Sequence, residues 1–278
     1  VQVGALNNWN IISPGVDHVL FVKTNNTLWS VGDNLFVGAL GDSTLTNKSS
    51  PIQIGSDANW STVAAGYITS YAIKSDGTLW SWGHNLYGQL GQGDITPRSS
   101  PVQIGSLTNW YLASATYQSV GSIKTNGTLW TWGRNERGQL GDSTIVDKSS
   151  PIQVGSLTIW KSLTGAYQTF FATQTDNSLW SWGSGDDGVL ASGAILARSS
   201  PVQVGALNNW KTIDACPAAG ATGAVALKYD GTIWSWGFNN VGQIGDSSVV
   251  HKSSPVQIGA LTRWKNIGRN YVTTYAII

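Results

Sequence analysis

The sequence predicts an all-β protein, a β-propeller of about six four-stranded blades. Three observations carry this: one tryptophan-rich stretch written five times, a tryptophan at near-constant spacing, and a composition suited to strands. The clearest copy is Gly77–Gly91, GTLWSWGHNLYGQLG, repeated at 127–141 as GTLWTWGRNERGQLG and at 231–245 as GTIWSWGFNNVGQIG. Looser copies stand at 26–41 (NTLWSVGDNLFVGALG) and 177–192 (NSLWSWGSGDDGVLAS). Trp9, Trp60, Trp110, Trp160, Trp210 and Trp264 follow one another at spacings of 51, 50, 50, 50 and 54. A fixed period of this size marks a solenoid, propeller or array. Among 278 residues there are 33 glycines and no methionine, and Glu136 is the only glutamate. Such a chain is poor in helix formers and rich in the β-branched and aromatic residues of strands.

The second repeat shows each element. Trp60–Gly66 (WSTVAAG) reads as a short strand of small apolar residues, and Ser70–Lys74 (SYAIK) as a second. Asp76-Gly77 suits the tight hairpin that leads to a third strand, Thr78–Trp82. After a loop of about 17 residues, Pro101–Gly105 (PVQIG) is the fourth, with Pro101 at its start, where a missing N–H costs nothing. Four short antiparallel strands make one blade, and a blade must stack on neighbours to bury both faces. The expected repeats are 1–50, 51–100, 101–150, 151–200, 201–254 and a partial 255–278, forming a single domain over 1–278.

Closure follows from counting strand types. The PVQIG, Trp-led and YAIK types each occur six times and LWSW five times. With Val1–Gly4 as the outer strand of the last blade, pairing of the N- and C-terminal strands closes the ring at six blades. Because Val1 enters in mid-repeat, the chain reads as a processed product or a fragment, and a fragment would allow seven.

The balance of charge, +1 with 11% charged residues, argues against a surface that neutralises phosphates, so no nucleic-acid partner is expected. The single cysteine, Cys216, excludes an intramolecular disulfide and a cysteine-based zinc site, and reads as a small buried filler. No apolar run reaches the length of a membrane span. Low charge with abundant Thr, Ser, Asn and Gly reads as an extracellular or virion-surface protein, with a cytoplasmic one left open.

The pairing of a YAIKSDG-type hairpin with LWSWGxNxxGQLG, at Ile73–Gly91, Ile123–Gly141 and Leu227–Gly245, resembles the regulator of chromosome condensation repeat. The resemblance implies propellers that are usually seven-bladed and closed end to end. It also implies a founding member that exchanges nucleotide on a small GTPase and docks on chromatin. The family's inner-strand histidine is matched by His18 alone, with Thr69, Ser119, Thr169 and Thr273 at the other copies.

Two groups of candidate binding residues emerge. One is a ring of aromatics and amides after the inner strands: Tyr67, Tyr117, Gln118, Tyr167, Gln168 and Tyr271. Tyrosines around a channel mouth grip a protein loop or stack on a sugar. The other is the variable loop after each WG, with Phe36, Tyr87, Arg134, Arg137 and Phe238, since changing loops on a constant framework are where recognition sits. Asn34, Asn85, Asn135 and Asn239, constant within those loops, read as turn-makers, through side-chain bonds to the backbone or a left-handed conformation. The cations before each SSP (Lys48, Arg98, Lys148, Arg198 and Lys252) read as strand-end covers. Asp42, Asp142 and Asp246 read as turn acceptors and Asp186-Asp187 as a solvated pair. His18, His84 and His251 fall at different repeat positions, and the channel offers residues such as Ala64, Ala65, Ala113 and Ala115 rather than acids or histidines. No catalytic residue, metal ligand or cofactor is expected. The expected function is a non-enzymatic protein-binding scaffold. A glycan-binding propeller is the alternative, followed by nucleotide exchange on a small GTPase, and the incomplete sixth blade offers a route to self-association.

Overall fold

The computed structural model describes residues 8–216, 218, 220, 222–269 and 273–278. Five four-stranded antiparallel sheets follow one another along the chain, and a two-stranded sheet follows the fifth. In the first blade the strands are Trp9–Pro14, His18–Lys23, Leu28–Gly32 and Lys48–Gln53, paired in that order. The next four blades repeat this order from Trp60, Trp110, Trp160 and Trp210. The partial sixth holds Asn266–Arg269 and Thr274–Ile277. The closing strand expected at 1–4 lies outside the described residues.

Local chemistry accounts for the hairpin between second and third strands. In Ser75-Asp76-Gly77, Asp76 Oδ1 accepts from the Thr78 backbone N (2.9 Å) and hydroxyl (2.7 Å), and Thr78 Oγ1 accepts from Trp80 Nε1. Gly77 has φ +78°, and a Cβ there would lie 2.2 Å from the Thr108 carbonyl of the next blade's approach. Asn26 and Asn177, both with positive φ, stand where the other copies have glycine.

The outer strand departs from expectation. It begins at Arg98, and Pro101 lies inside it, not at its start. Pairing with the third strand shifts register between Ser81 and Gly83, and Pro101 stands beside this irregularity on an edge strand. A missing N–H is harmless there.

Blades are joined by tryptophan. The second tryptophan of each third strand (Trp82, Trp132, Trp182 and Trp236) is completely buried. Its indole N–H donates back to the preceding blade, to the carbonyls of Ala39, Gln89, Gln139 and Val189 at 2.7–2.9 Å. The first tryptophan of the pair meets the Trp-led strand edge-to-face, as in Trp80–Trp60 at 5.9 Å. A lysine ammonium sits over both rings in four blades, for example Lys124 Nζ at 4.6 Å from Trp110 and 3.7 Å from Trp130.

The loop asparagines do more than turn the chain. Asn135 is fully buried; its Oδ1 accepts from Leu140 N, and its Nδ2 donates to Asp142, Thr144 O and Val146 O. Asn34, Asn85 and Asn239 repeat the arrangement, and none of the four adopts the left-handed conformation. Four of the five cations before SSP pair with aspartates of the same loops, as Lys48 does with Asp42 (3.2 Å) and Lys252 with Asp246 (3.1 Å); Arg198 forms no such pair among the described residues. Asp187 is not a freely solvated loop acid: its carboxylate accepts from Thr222 Oγ1 and lies 3.7 Å from His251 Nε2.

Candidate functional site

The hairpin joining first and second strands and the loop leaving the third lie at the same end of each blade, because Thr69 pairs with Gly83. Both groups of sequence candidates therefore share one face. Tyr67 stacks on Tyr117 with centroids 4.4 Å apart, and Tyr117 meets Tyr167 edge-on at 5.1 Å. Tyr117 N also donates to the Tyr167 carbonyl. The three rings, all half-buried, make one row across three blades. Burial, followed by the neighbouring Tyr67 phenol, pushes the Tyr117 hydroxyl above its ordinary value. Tyr271 lies outside the described residues.

Beside this row runs a polar network. Arg134 donates from Nη1 to Gln118 Oε1, pairs through Nη2 with Glu136 Oε2 at 2.7 Å, and lies over the Tyr87 ring at 4.7 Å. Gln168 Nε2 donates to the other Glu136 oxygen at 3.0 Å. The sole glutamate thus ties the third blade's loop to the fourth blade's hairpin, a link invisible in sequence because the partners are 32 residues apart. Arg137 is exposed, with its backbone N donating to Gln139 Oε1. Phe36 stands 89% exposed on the first blade. Phe238 is half-buried and stacked on His251 at 5.0 Å. Neither phenylalanine makes a ring contact with the tyrosine row among the described residues. Leu45, Ile95, Ile145, Ile195 and Val249, one from each blade's long loop, add exposed apolar side chains to this face.

Ala65, Ala115 and Gly165, two residues before each tyrosine of the row, line a central cavity of about 480 Å³ walled by the inner strands. Its lining includes Ala64, Ala65, Ala113 and Ala115, as expected, but also Asp214, Cys216 and Arg269. Arg269 occupies the position held by Pro14, Ala65, Ala115, Gly165 and Ala215 in the other blades. Counting from the tryptophan register would have revealed it. Asp214 Oδ2 accepts from the Arg269 backbone N at 2.8 Å, and burial raises the Asp214 carboxyl. Burial lowers the Arg269 guanidinium to about 10, against the pull of Cys216 and Asp214. Cys216 is half-buried and lines this cavity; it does not fill a core, and burial raises its thiol away from reactive thiolate.

His18 is buried and unlike the other candidates. Ser70 Oγ donates to the Ala39 carbonyl at 2.7 Å, so it accepts from His18 Nε2–H at 2.8 Å, leaving Nδ1 buried without a partner. Burial, opposed by Asp33, lowers its pKa to about 4. Among the described residues no group of three His, Cys, Asp or Glu side chains is placed to hold a metal ion. No helix among them is long and apolar enough to cross a membrane.

This is a tryptophan-stapled repeat propeller with one face of tyrosines, amides and apolar loops. The regulator of chromosome condensation (RCC1) repeat matches residues 76–121, 126–171 and 230–268, and a second model of the same repeat matches 60–89. Together they span more than half of the chain, which belongs to this family. No curated protein matches it in sequence. Human WBSCR16 is similar in structure, with TM-score 0.82 and 18% identity over 97% of this chain and 71% of that one. Yeast RCC1 (Prp20), solved bound to Kap60, gives 0.81 and 20% over 97% and 67%. Saccharomyces cerevisiae Prp20p, reported with its binding properties to Gsp1p and histones, gives 0.82 and 22% over 97% and 69%. At these identities the likeness is one of fold.

Proposed function

We propose that the chain is a non-enzymatic scaffold that binds a protein partner through the face bearing Tyr67, Tyr117 and Tyr167. The observation that carries this is the unbroken row of three tyrosine rings, continuous with the Arg134–Glu136–Gln168 network. Tyrosine and arginine dominate binding hot spots because they bury large area while keeping a polar tip for hydrogen bonding. The exposed loop residues Ile95, Ile145 and Ile195 extend the apolar area outward. Solved proteins of this fold are reported bound to Kap60 and with binding properties to Gsp1p and histones, which supports protein binding as the class of function.

The test is affinity capture from the source with the immobilised chain, repeated with Tyr67→Ala/Tyr117→Ala/Tyr167→Ala and with Tyr229→Ser, an exposed position at the opposite end of its blade. A partner lost with the triple variant and kept by the remote one supports the reading. A partner that both variants retain sinks it. Nucleotide exchange is the second reading, favoured by the fold likeness to Prp20p; release of fluorescent GDP from Gsp1p, with and without the chain, decides it.

A further inference from the structure

Two cavities at successive blade junctions are built from the same positions. Between the second and third blades lies one of about 320 Å³, and between the third and fourth one of about 420 Å³. The apolar walls of the first are Leu107, Trp110, Trp130 and Pro151; those of the second are Leu157, Trp160, Trp180 and Pro201. Every pair differs by 50 in residue number. In each cavity the two indoles stand nearly perpendicular, with centroids 6.0 Å apart. Polar side chains share both cavities, Gln92 and Ser150 in one, and Asp142, Gln153 and Ser200 in the other. Gly105 and Gly155 border the open space, and a Cβ at either would meet nothing within 4 Å.

We propose that these junction cavities are carbohydrate subsites, each taking one pyranose ring. A pyranose is amphipathic: its C–H face suits indole, proline and leucine, and its hydroxyls suit the amide and hydroxyl groups alongside. Concave, mostly apolar pockets with a few placed polar groups are the usual form of a small-ligand site. Repetition at a fixed period also suits a ligand that itself repeats, because linked subsites gain avidity without new contacts. The same pattern of residues recurs at the next junction, with Leu207, Trp210, Trp234 and Pro255. At the junction between the first two blades the leucine is replaced by Asp57, whose carboxylate holds Lys74 Nζ at 2.6 Å. That junction is the internal negative control. None of these residues belongs to the tyrosine face, so the proposal does not rest on the protein-binding reading.

The experiment uses the full chain and the methyl glycosides of glucose, galactose, mannose and N-acetylglucosamine, followed by their oligosaccharides. Saturation-transfer NMR and tryptophan fluorescence read binding. At least one glycoside saturates at roughly millimolar concentration, and its oligosaccharide binds about 10²-fold or more tightly. Leu107→Asp and Leu207→Asp place acids beside Lys124 and Lys228, as Asp57 stands beside Lys74; combined with Leu157→Arg they weaken binding at least about tenfold, a loss of one affinity decade. All three leucines are exposed, so near-ultraviolet circular dichroism and the melting temperature stay unchanged. Absence of any glycoside binding at about 50 mM, far above the expected constant, overturns the proposal. Sugar binding that the triple variant leaves intact overturns it too, as does preference for indole or an aromatic peptide over every sugar.

Discussion

His18 makes folding stability sensitive to mild acid, and the size of the effect follows from its surroundings. Its Nε2–H is committed to Ser70 Oγ, and its Nδ1 is buried with no acceptor. A second proton would place an unpaired N–H and a charge in that space, so burial lowers the pKa from 6.5 to about 4. The sign follows from linkage. Between those two values the unfolded chain binds a proton that the folded chain does not, so stability is full above pH 6.5 and falls as pH drops toward 4. The full interval corresponds to roughly 3 kcal/mol at 1.36 kcal/mol per unit. Between pH 7 and pH 5 the loss is about 2 kcal/mol. His18→Thr is the matched variant, because Thr69 and Thr169 occupy the equivalent positions and remain buried. Urea unfolding at pH 7 and pH 5 is measured for both chains. The wild type loses about 2 kcal/mol more than the variant, while every other titratable group is common to both. Equal losses in the two chains would refute the assignment of a neutral, buried His18.

Three further outcomes test the frame. Gly91→Ala is costly, since Gly91 has φ +69° and a Cβ there would lie 2.8 Å from Trp132 Nε1. Gly105→Ala, at φ +56° with nothing nearby, carries only backbone strain of about 1 kcal/mol, so the difference in denaturation midpoints isolates the tryptophan clash. Asn135→Ala leaves Leu140 N and the carbonyls of Thr144 and Val146 without their partner, which lowers unfolding free energy by about 2–3 kcal/mol, read by urea titration. Lys124→Gln removes the ammonium from above Trp110 and Trp130 and costs about 1 kcal/mol. Gln174 already stands at that position in the fourth blade, so the fold survives and a change in tryptophan emission reports the loss.

Much of the architecture was legible in order along the chain. Asp-Gly at 76–77 announces a hairpin because the turn needs a positive φ and a local acceptor, and both are short-range properties. The alternation in LWSW announces a strand for the same reason. Less legible were features that depend on two repeats meeting. The outer strand starts three residues before Pro101 because it pairs across a shifted register, and sequence patterning does not show register. Asp187 reads as a surface acid until Thr222 and His251, from the neighbouring blade, are brought to it. Glu136 drew attention only as the lone glutamate, yet it links the two halves of the candidate face.

By itself the sequence determined the strand content, the blade period, the hairpin chemistry and the family, because these rest on local propensity and a pattern repeated in one dimension. Only the tertiary structure decided that the tyrosines form a row, that the channel wall carries Asp214 and Arg269, and that two tryptophans from different strands frame each junction cavity. The tyrosine row and the Asp214–Arg269 contact require residues 50 to 55 positions apart to come within a few ångströms, and each cavity sets a tryptophan pair 20 positions apart against a loop of the preceding blade. Such proximity comes from stacking whole blades and burying their shared faces, which a propensity read along the chain does not contain.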